Sequence, residues 1–221
     1  MGRPSDADVF ADRLEAGRAL AHRLAEFRGR DDLAVLGLPR GGVPVAWEVA
    51  QALGAPLDVF VVRKLGVPGH EELAMGAIAS GNVRVLNADV LRWYQIPDET
   101  IEQVTRGEKT ELERRERLYR DGRPLISLDR RIVILIDDGL ATGSTMRAAV
   151  GAVRSLAPAR IVVAVPVGAR DTCEALGEIA DHVVCLLTPE SFSAVGQWYL
   201  DFSQTSDEEV RRLLATAGRT A

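Results

Sequence analysis

Cysteine and aromatic residues are both scarce in this chain of 221 residues. It contains two cysteines, and Phe, Trp and Tyr together make up 5% of the residues. Cys173 and Cys185 do not form a Cys-x-x-Cys pair, and neither has a nearby pair of His or Cys residues with which to share a metal. Nothing in this spacing indicates a disulfide framework. We therefore expect two buried structural thiols.

Long apolar runs are also missing. No run approaches the ~18 residues that would suggest a membrane span, and residues 1–10 contain no apolar signal region. The formal net charge is −5, which argues against a nucleic-acid-binding surface. Charges of both signs alternate through residues 98–120, a pattern typical of a solvated helix face. These absences favour a cytoplasmic protein that binds neither membranes nor nucleic acid.

Three familiar signatures of phosphate and metal sites are absent. There is no Gly-Lys pair, so the chain has no Walker A loop. No strand end carries the Gly-x-Gly-x-x-Gly fingerprint of dinucleotide-binding folds. His70-Glu71 does not begin a zincin motif, because the required second histidine is replaced by Ala74.

Short apolar runs alternate with helical patterns along the chain. The candidate strands are 33–38, 57–62, 83–86, 131–136, 161–165 and 183–187, and the candidate helices are 8–27, 43–53, 98–120, 144–156 and 171–180. This alternation predicts an α/β fold with a mostly parallel sheet covered on both faces. Ligands of such sheets bind beyond the carboxyl ends of the strands. The loops after Leu38, Val62, Ile136 and Val165 are therefore where we expect a site.

The loop after the strand at 131–136 has the most informative sequence. The strand ends in Asp137 and Asp138, and a loop of small and hydroxyl-bearing residues follows up to Thr145, where a helix has begun. The free N–H groups of a helix start bind phosphate, and Gly143 lets the backbone approach a ligand closely. Two acids beside a phosphate site are explained if they accept hydrogen bonds from sugar hydroxyls or hold a Mg²⁺-bound water. The pattern predicts a sugar phosphate ligand.

This loop resembles the motif that binds 5-phosphoribosyl-1-pyrophosphate (PRPP) in type I phosphoribosyltransferases. The wider chain, from about Asp8 to Ala217, resembles largely uncharacterised bacterial members of that family. The resemblance implies that Asp137 and Asp138 bind the ribose hydroxyls. It also implies that Gly139 and Leu140 belong to the PRPP-binding loop and that the 5-phosphate is held by Ala141, Thr142, Gly143, Ser144 and Thr145.

The family also implies a fold and constrains the acceptor. We expect a single domain over residues 1–221, with a five-stranded, mostly parallel sheet flanked by helices and a small hood. The helix near 98–120 would be an insertion, and residues 188–221 would form the hood or tail. Enzymes that salvage hypoxanthine and guanine carry an acid where this chain has Ala141, which puts a 6-oxopurine acceptor in doubt.

Two further loops resemble parts of the family's site. Arg40, Gly41 and Gly42 follow the first strand and resemble the pyrophosphate-binding loop, for which we expect a cis Pro39–Arg40 bond. Arg63 and Lys64 end the second predicted strand, and the glycine-rich stretch to residue 81 resembles the mobile catalytic loop. Closure of that loop would bring these cations to the leaving pyrophosphate.

Aromatic residues are concentrated between residues 188 and 204. They either pack this segment onto the core or form part of an acceptor pocket in which a flat base stacks on a ring. For the second interpretation we expect the ring to be Phe192, since it lies nearest a strand end.

The implied reaction transfers ribose 5-phosphate from PRPP to a nitrogen acceptor, for which we expect a nucleobase, and releases pyrophosphate. Mg²⁺ would be held mainly by PRPP and would need no direct protein ligands. One alternative is a regulatory protein that senses PRPP without catalysis, and another is an enzyme that hydrolyses or phosphorolyses ribose 5-phosphate compounds. The sequence does not identify the acceptor, and the family resemblance suggests a homodimer.

Overall fold

The computed structural model of this protein describes residues 9–217. Its helices are α1 (Arg13–Arg23), α2 (Gly42–Leu53), α3 (Ala88–Tyr94), α4 (Asp98–Arg120), α5 (Ser144–Arg154), α6 (Arg170–Leu176) and α7 (Asp207–Ala217). Its strands are β1 (Leu33–Gly37), β2 (Leu57–Val59), β3 (Val62–Val67), β4 (His70–Ala79), β5 (Val83–Leu86), β6 (Ile132–Ile136), β7 (Arg160–Val167) and β8 (His182–Leu187). Short 3₁₀ turns lie at Ala25–Phe27 and Val195–Trp198.

Five parallel strands form the core sheet, in the order β2-β1-β6-β7-β8. Every residue of β1 and β6 is buried, because helices cover both faces of the sheet. One apolar cluster includes Leu36, Leu135 and Met146, and another includes Leu20, Val49 and Ile134. The predicted α/β fold with a five-stranded parallel sheet is confirmed.

The first helix is shorter than the sequence pattern suggested. The pattern extended over residues 8–27, but α1 begins after Asp12, whose side chain accepts a hydrogen bond from the Glu15 amide at 2.8 Å. Such a cap fixes where a helix starts. Asp8 lies outside the described residues.

Strands β3, β4 and β5 form a separate antiparallel sheet in that order. The prediction of one strand over 57–62 was therefore wrong: β2 ends at Val59, and Val62 opens the second sheet. Arg63 and Lys64 lie inside β3 instead of ending a core strand, and most of the glycine-rich stretch to residue 81 is a hairpin. Its turn at Pro68-Gly69 and irregular pairing near Gly66 explain why the glycines suggested an open loop.

Helix α4 is long and polar, as predicted, and it is anchored at its C-terminal end. Arg120 is buried there, where its guanidinium donates to Asp58 Oδ1 at 2.9 Å and to Ser80 Oγ at 3.0 Å. This contact ties α4 to β2 and to the end of β4. Within residues 9–217, no helix is both long enough and apolar enough to span a bilayer.

The two cysteines are not separate thiols, contrary to the prediction. Cys173 on α6 and Cys185 on β8 are joined as a disulfide. The spacing of 12 residues gave no hint of this pairing, because contact depends on α6 packing back against the neighbouring strand.

The segment after β8 returns to the start of the chain and then moves away. The Leu200 amide donates to the Phe10 carbonyl at 2.8 Å, and the Phe10 amide donates to the Trp198 carbonyl at 3.0 Å. Helix α7 then packs on α2 and α4. Residues 198–203 therefore lie near the N-terminus of α1, whereas α7 packs on other helices.

Candidate active site

The carboxyl ends of β1 and β6 lie side by side and bring two of the predicted loops together. Gly37 pairs with Ile136, and the Leu38 amide donates to the Ile136 carbonyl at 2.8 Å. Leu140 forms an isolated bridge with Gly168, which follows β7. The loops after three neighbouring strands therefore converge at one edge of the sheet, where ligands of parallel sheets bind.

The turn after β1 packs directly against the acids that follow β6. The Pro39–Arg40 peptide bond is cis, as expected from the sequence. A methyl group on Gly41 would overlap the Asp138 carboxylate, and one on Gly42 would lie 2.6 Å from the Ile136 carbonyl oxygen. Glycine is needed at both positions because of this close approach.

Asp137 and Asp138 form a buried and unequal pair of carboxyl groups. Burial raises the pKa of Asp137 well above its usual range, and the neighbouring charge of Asp138 raises it further. Burial also raises the pKa of Asp138, but the Arg13 guanidinium opposes this shift. Asp138 is therefore the member of the pair that is better able to hold a negative charge, and Asp137 is the better proton carrier.

Arg13 is a residue of the site that the sequence did not suggest. From the first turn of α1, its Nε donates to Asp138 Oδ2 at 2.8 Å, and its Nη1 donates to the Ser203 carbonyl at 2.7 Å. Its guanidinium lies 4.0 Å from the centre of the Phe202 ring. The side chains of Arg13 and Asp138 are only 12% and 15% exposed. One cation thus connects α1, the second acid and the C-terminal segment.

Tyr199 holds the main chain of the same acid. Its hydroxyl donates to the Asp138 carbonyl at 2.6 Å, and burial raises its pKa. Neither Arg13 nor Tyr199 belongs to a local motif, since they lie 125 and 61 positions from Asp138. The clustering of aromatic residues after position 188 was the only signal, and it pointed to Phe192 instead.

The segment from Ala141 to Thr145 has the features of an anion-binding helix start. Gly143 has a φ of 68°, and the first helical hydrogen bond of α5 runs from the Arg147 amide to the Gly143 carbonyl at 2.8 Å. The amides before Arg147 therefore point out of the helix end, where an anion can accept from them. Thr172 on α6 fixes the loop by donating to the Ala141 carbonyl at 2.8 Å.

The three predicted cations differ in their surroundings, and Arg63 and Lys64 lie on the antiparallel sheet, not on the core sheet. Arg40 is partly exposed, with Nη1 3.9 Å from an oxygen of Asp207. Arg63 is engaged by Glu108 at 2.7 Å. Within the described part of the chain, Lys64 forms no ion pair. Arg63 and Lys64 both line a cavity of about 480 Å³.

Phe192 packs against buried side chains of the core. It is half-buried and packs against a cluster of buried residues, Ala16, Val167, Trp198 and Tyr199. Phe202 is 37% exposed, and Arg13 stacks on its ring. The segment therefore packs onto the core as well as bordering the acids.

A direct metal cage is not formed by the described residues. Between residues 9 and 217, no group of three or more His, Cys, Asp or Glu side chains could hold an ion. The two adjacent acids are suited to one or two contacts with a hydrated cation that other oxygens also bind.

Comparison with known proteins identifies the family. The family model for the phosphoribosyl transferase domain matches residues 11–203. A Mycobacterium tuberculosis H37Rv protein, provisionally named as a phosphoribosyl transferase, is 51% identical over 211 residues, which cover 96% of this chain and 47% of the relative. The chain thus spans about half the length of the curated relatives it matches.

Solved structures share the fold of this chain. The protein TT1426 from Thermus thermophilus is 44% identical and has a TM-score of 0.86, with 94% of this chain and 98% of that chain covered. A hypothetical protein from Neisseria gonorrhoeae, solved with bound ppGpp, shares only the fold: it is 14% identical with a TM-score of 0.50, over 94% of both chains. The family model matches most of the chain, and the paired acids and the loop at residues 139–145 lie on one edge of the sheet. The chain belongs to the phosphoribosyl transferase family.

Proposed function

We propose that this protein is a phosphoribosyltransferase that moves ribose 5-phosphate from PRPP to a nitrogen acceptor of the nucleobase class and releases pyrophosphate. The observation that carries the proposal is the shared location of three parts. The acids Asp137 and Asp138, the helix start at Ser144 and the turn at 39–42 all meet at one edge of the sheet. Together they offer acceptors for hydroxyl groups between two sites for phosphate groups.

Each part of the site has a role in this proposal. Asp137 and Asp138 accept hydrogen bonds from the ribose hydroxyls, Gly139 and Leu140 complete the PRPP-binding loop, and the segment 141–145 holds the 5-phosphate. Arg40, with the backbone of Gly41 and Gly42, binds the pyrophosphate. Arg63 and Lys64 stabilise the leaving group, for which Arg63 must release Glu108.

Mg²⁺ fits this arrangement as an ion held chiefly by substrate oxygens. It would neutralise charge on the departing pyrophosphate. The chain itself positions the ribose and places the Asp138 carboxylate where positive charge develops on the sugar ring. A cytoplasmic location and a homodimeric state belong to the same proposal, and Phe192 remains our prediction for the acceptor pocket.

Calorimetric titration with Mg²⁺ and PRPP tests the binding half of the proposal. Thr145 is exposed at the helix start, so we expect Thr145→Ala to weaken binding about tenfold through loss of a charge-assisted hydrogen bond. Thr110→Ala, on exposed α4, is the matched control and should bind like the wild type. Folded wild-type protein that gives no heat with Mg²⁺ and PRPP would overturn the proposal.

Product analysis tests the catalytic half. Incubation with PRPP and a panel of nucleobases should yield a nucleoside monophosphate and pyrophosphate in equal amounts. A PRPP sensor would bind without releasing pyrophosphate. A hydrolase would release pyrophosphate and free ribose 5-phosphate without any acceptor.

The Arg13–Asp138 ion pair leads to a pH-dependent prediction. In Arg13→Gln, the guanidinium that opposes the effect of burial on Asp138 is gone, so the pKa of that carboxyl rises above its wild-type value. Only the ionised carboxylate accepts fully from a hydroxyl group, so binding is lost as pH falls through this pKa. We expect the affinity for Mg²⁺ and PRPP, plotted against pH, to begin falling at a higher pH in Arg13→Gln than in the wild type. This acid limb of the profile should be followed by recovery of most of the affinity at alkaline pH.

Arg13→Lys provides the control for that measurement. It keeps a positive charge near Asp138 but loses the planar stack on Phe202. Its acid limb should lie closer to that of the wild type. Identical pH profiles for the wild type and Arg13→Gln would show that Arg13 has only a structural role.

A further inference from the structure

A second cleft begins beside the loop at residues 139–145 and follows α5 away from it. It has a volume of about 500 Å³ and lies between α5 and the antiparallel sheet. Ser144, Arg147, Ala148 and Gly151 line one wall, while Lys64 and Leu86 lie across from them. Its volume is in the range of pockets that bury small organic ligands.

The charge of this cleft differs from that of the rest of the molecule. Among the described residues, two cations line it, Lys64 and Arg147, and no carboxylate does. Across residues 9–217 neither cation takes part in an ion pair or a side-chain hydrogen bond, whereas the neighbouring cavity at Arg63 contains Glu71, Glu72 and Glu108. In a chain with a net charge of −5, an unpaired cationic pair in a concave site favours an anionic ligand.

The rest of the lining is small and apolar. Ala74, Ala77, Val85 and Ala148 leave the walls smooth, and Leu86 is 37% exposed at the border. A methyl group on Gly151 would lie 3.8 Å from Val85, so the helix and the sheet close in at that end. A mostly apolar lining with two unpaired cations suits a phosphate group attached to a flat ring.

The direction of the cleft separates it from the acceptor position of the proposed reaction. From Ser144 to Gly151 the helix rises about 10 Å, at ~1.5 Å per residue. This path leads away from Asp137 and Asp138, where the ribose would lie. A base bound at the Gly151 end of the cleft therefore lies away from the sugar carbon that a nucleophile would attack.

We propose that this cleft binds a nucleoside monophosphate, with its phosphate between Lys64 and Arg147 and its base in the apolar slot, and that this ligand weakens PRPP binding. The second half rests on the proposed function, because it requires PRPP at the loop that ends in Ser144. Two anionic ligands on either side of Ser144 repel each other, and both draw on Lys64, so each lowers the affinity of the other by the same factor.

Calorimetry with adenosine and uridine monophosphates as probes tests the site. Arg147→Gln should weaken binding of these probes about tenfold by removing a charged partner, and Ala148→Leu should weaken it further by filling the slot. Arg154→Gln is the matched control: it removes a charge from the same helix, at a surface pair with Asp181 outside the cleft. All three variants should keep wild-type affinity for Mg²⁺ and PRPP.

The same probes titrated at increasing PRPP concentrations separate a second site from a shared one. Linkage between two sites raises the apparent dissociation constant of the monophosphate to a plateau, whereas competition for one site raises it without limit. A plateau that depends on Arg147 supports the proposal. Unlimited competition, affinity unaffected by Arg147→Gln and Ala148→Leu, or inorganic phosphate binding as tightly as the monophosphates would overturn it.

If PRPP itself does not bind, failure of the proposed function can still be distinguished from failure of the proposed monophosphate site. Monophosphate binding that is lost in Arg147→Gln would still establish the cleft as a nucleotide site. The proposed coupling would then be wrong together with the proposed function.

Discussion

Asp138→Asn is expected to lower PRPP-dependent turnover by about 10²–10³-fold, in the range found when a group that stabilises transition-state charge is removed. In the proposed reaction the Asp138 carboxylate faces the ribose ring on which positive charge develops, and an amide of the same shape would supply no negative charge. Hydrogen bonds to sugar hydroxyls also strengthen as such a transition state forms. Measurement of pyrophosphate release with saturating PRPP, once an acceptor is found, gives the turnover number.

The control for this variant must separate chemistry from folding. Asp138→Asn also removes the ionic partner of Arg13, which we expect to cost about 1–3 kcal/mol of stability. Its activity is therefore compared at temperatures where thermal denaturation shows both proteins folded. Asp129→Asn changes an exposed acid and should leave turnover unchanged. Near wild-type turnover in Asp138→Asn would remove the acids from the mechanism.

The parts of the fold that the sequence predicted are those determined by local pattern. β6 is an uninterrupted apolar run, and its five residues are all buried because two layers of helices cover the sheet. The loop at residues 137–145 was also predicted from local sequence, since its acids, glycines and hydroxyl-bearing residues lie in one short stretch. The structure of such segments can be predicted from their own residues, without knowing how distant parts of the chain pack.

The errors concern contacts between distant segments. The division between β2 and β3 depends on which sheet each strand joins, and residues 57–62 are apolar enough for either arrangement. The Cys173–Cys185 disulfide depends on how α6 packs against β8. Arg13 is one of many arginines in α-helical sequence, and only the return of residues 199–203 to α1 places it on Asp138.

Gly41→Ala is expected to weaken Mg²⁺–PRPP binding at least about 100-fold, because its new methyl group would take the place of the Asp138 carboxylate. The backbone at Gly41 has a φ of −62°, which alanine adopts without strain. The effect therefore comes from the side chain alone. The methyl carbon would lie 2.6 Å from Asp138 Cγ and 3.2 Å from Arg13 Nε, so the ion pair must shift. Overpacking of this kind costs about 1–3 kcal/mol of stability.

Gly107→Ala, on helix α4, is the matched control. A methyl group at this position would meet no neighbouring side chain or other segment within 4 Å. It should bind Mg²⁺ and PRPP normally and gain up to about 1 kcal/mol of stability from helix propensity.

A double-mutant cycle then locates the cause of the Gly41→Ala effect. If the methyl group acts by displacing the Asp138 carboxylate, Gly41→Ala should cost much less in an Asp138→Asn background, where that charge is already gone. Calorimetric affinities for Mg²⁺ and PRPP of the two single variants and the double variant supply the cycle. Fully additive losses would mean that Gly41 and Asp138 act independently, and that the turn after β1 does not serve to position the acid.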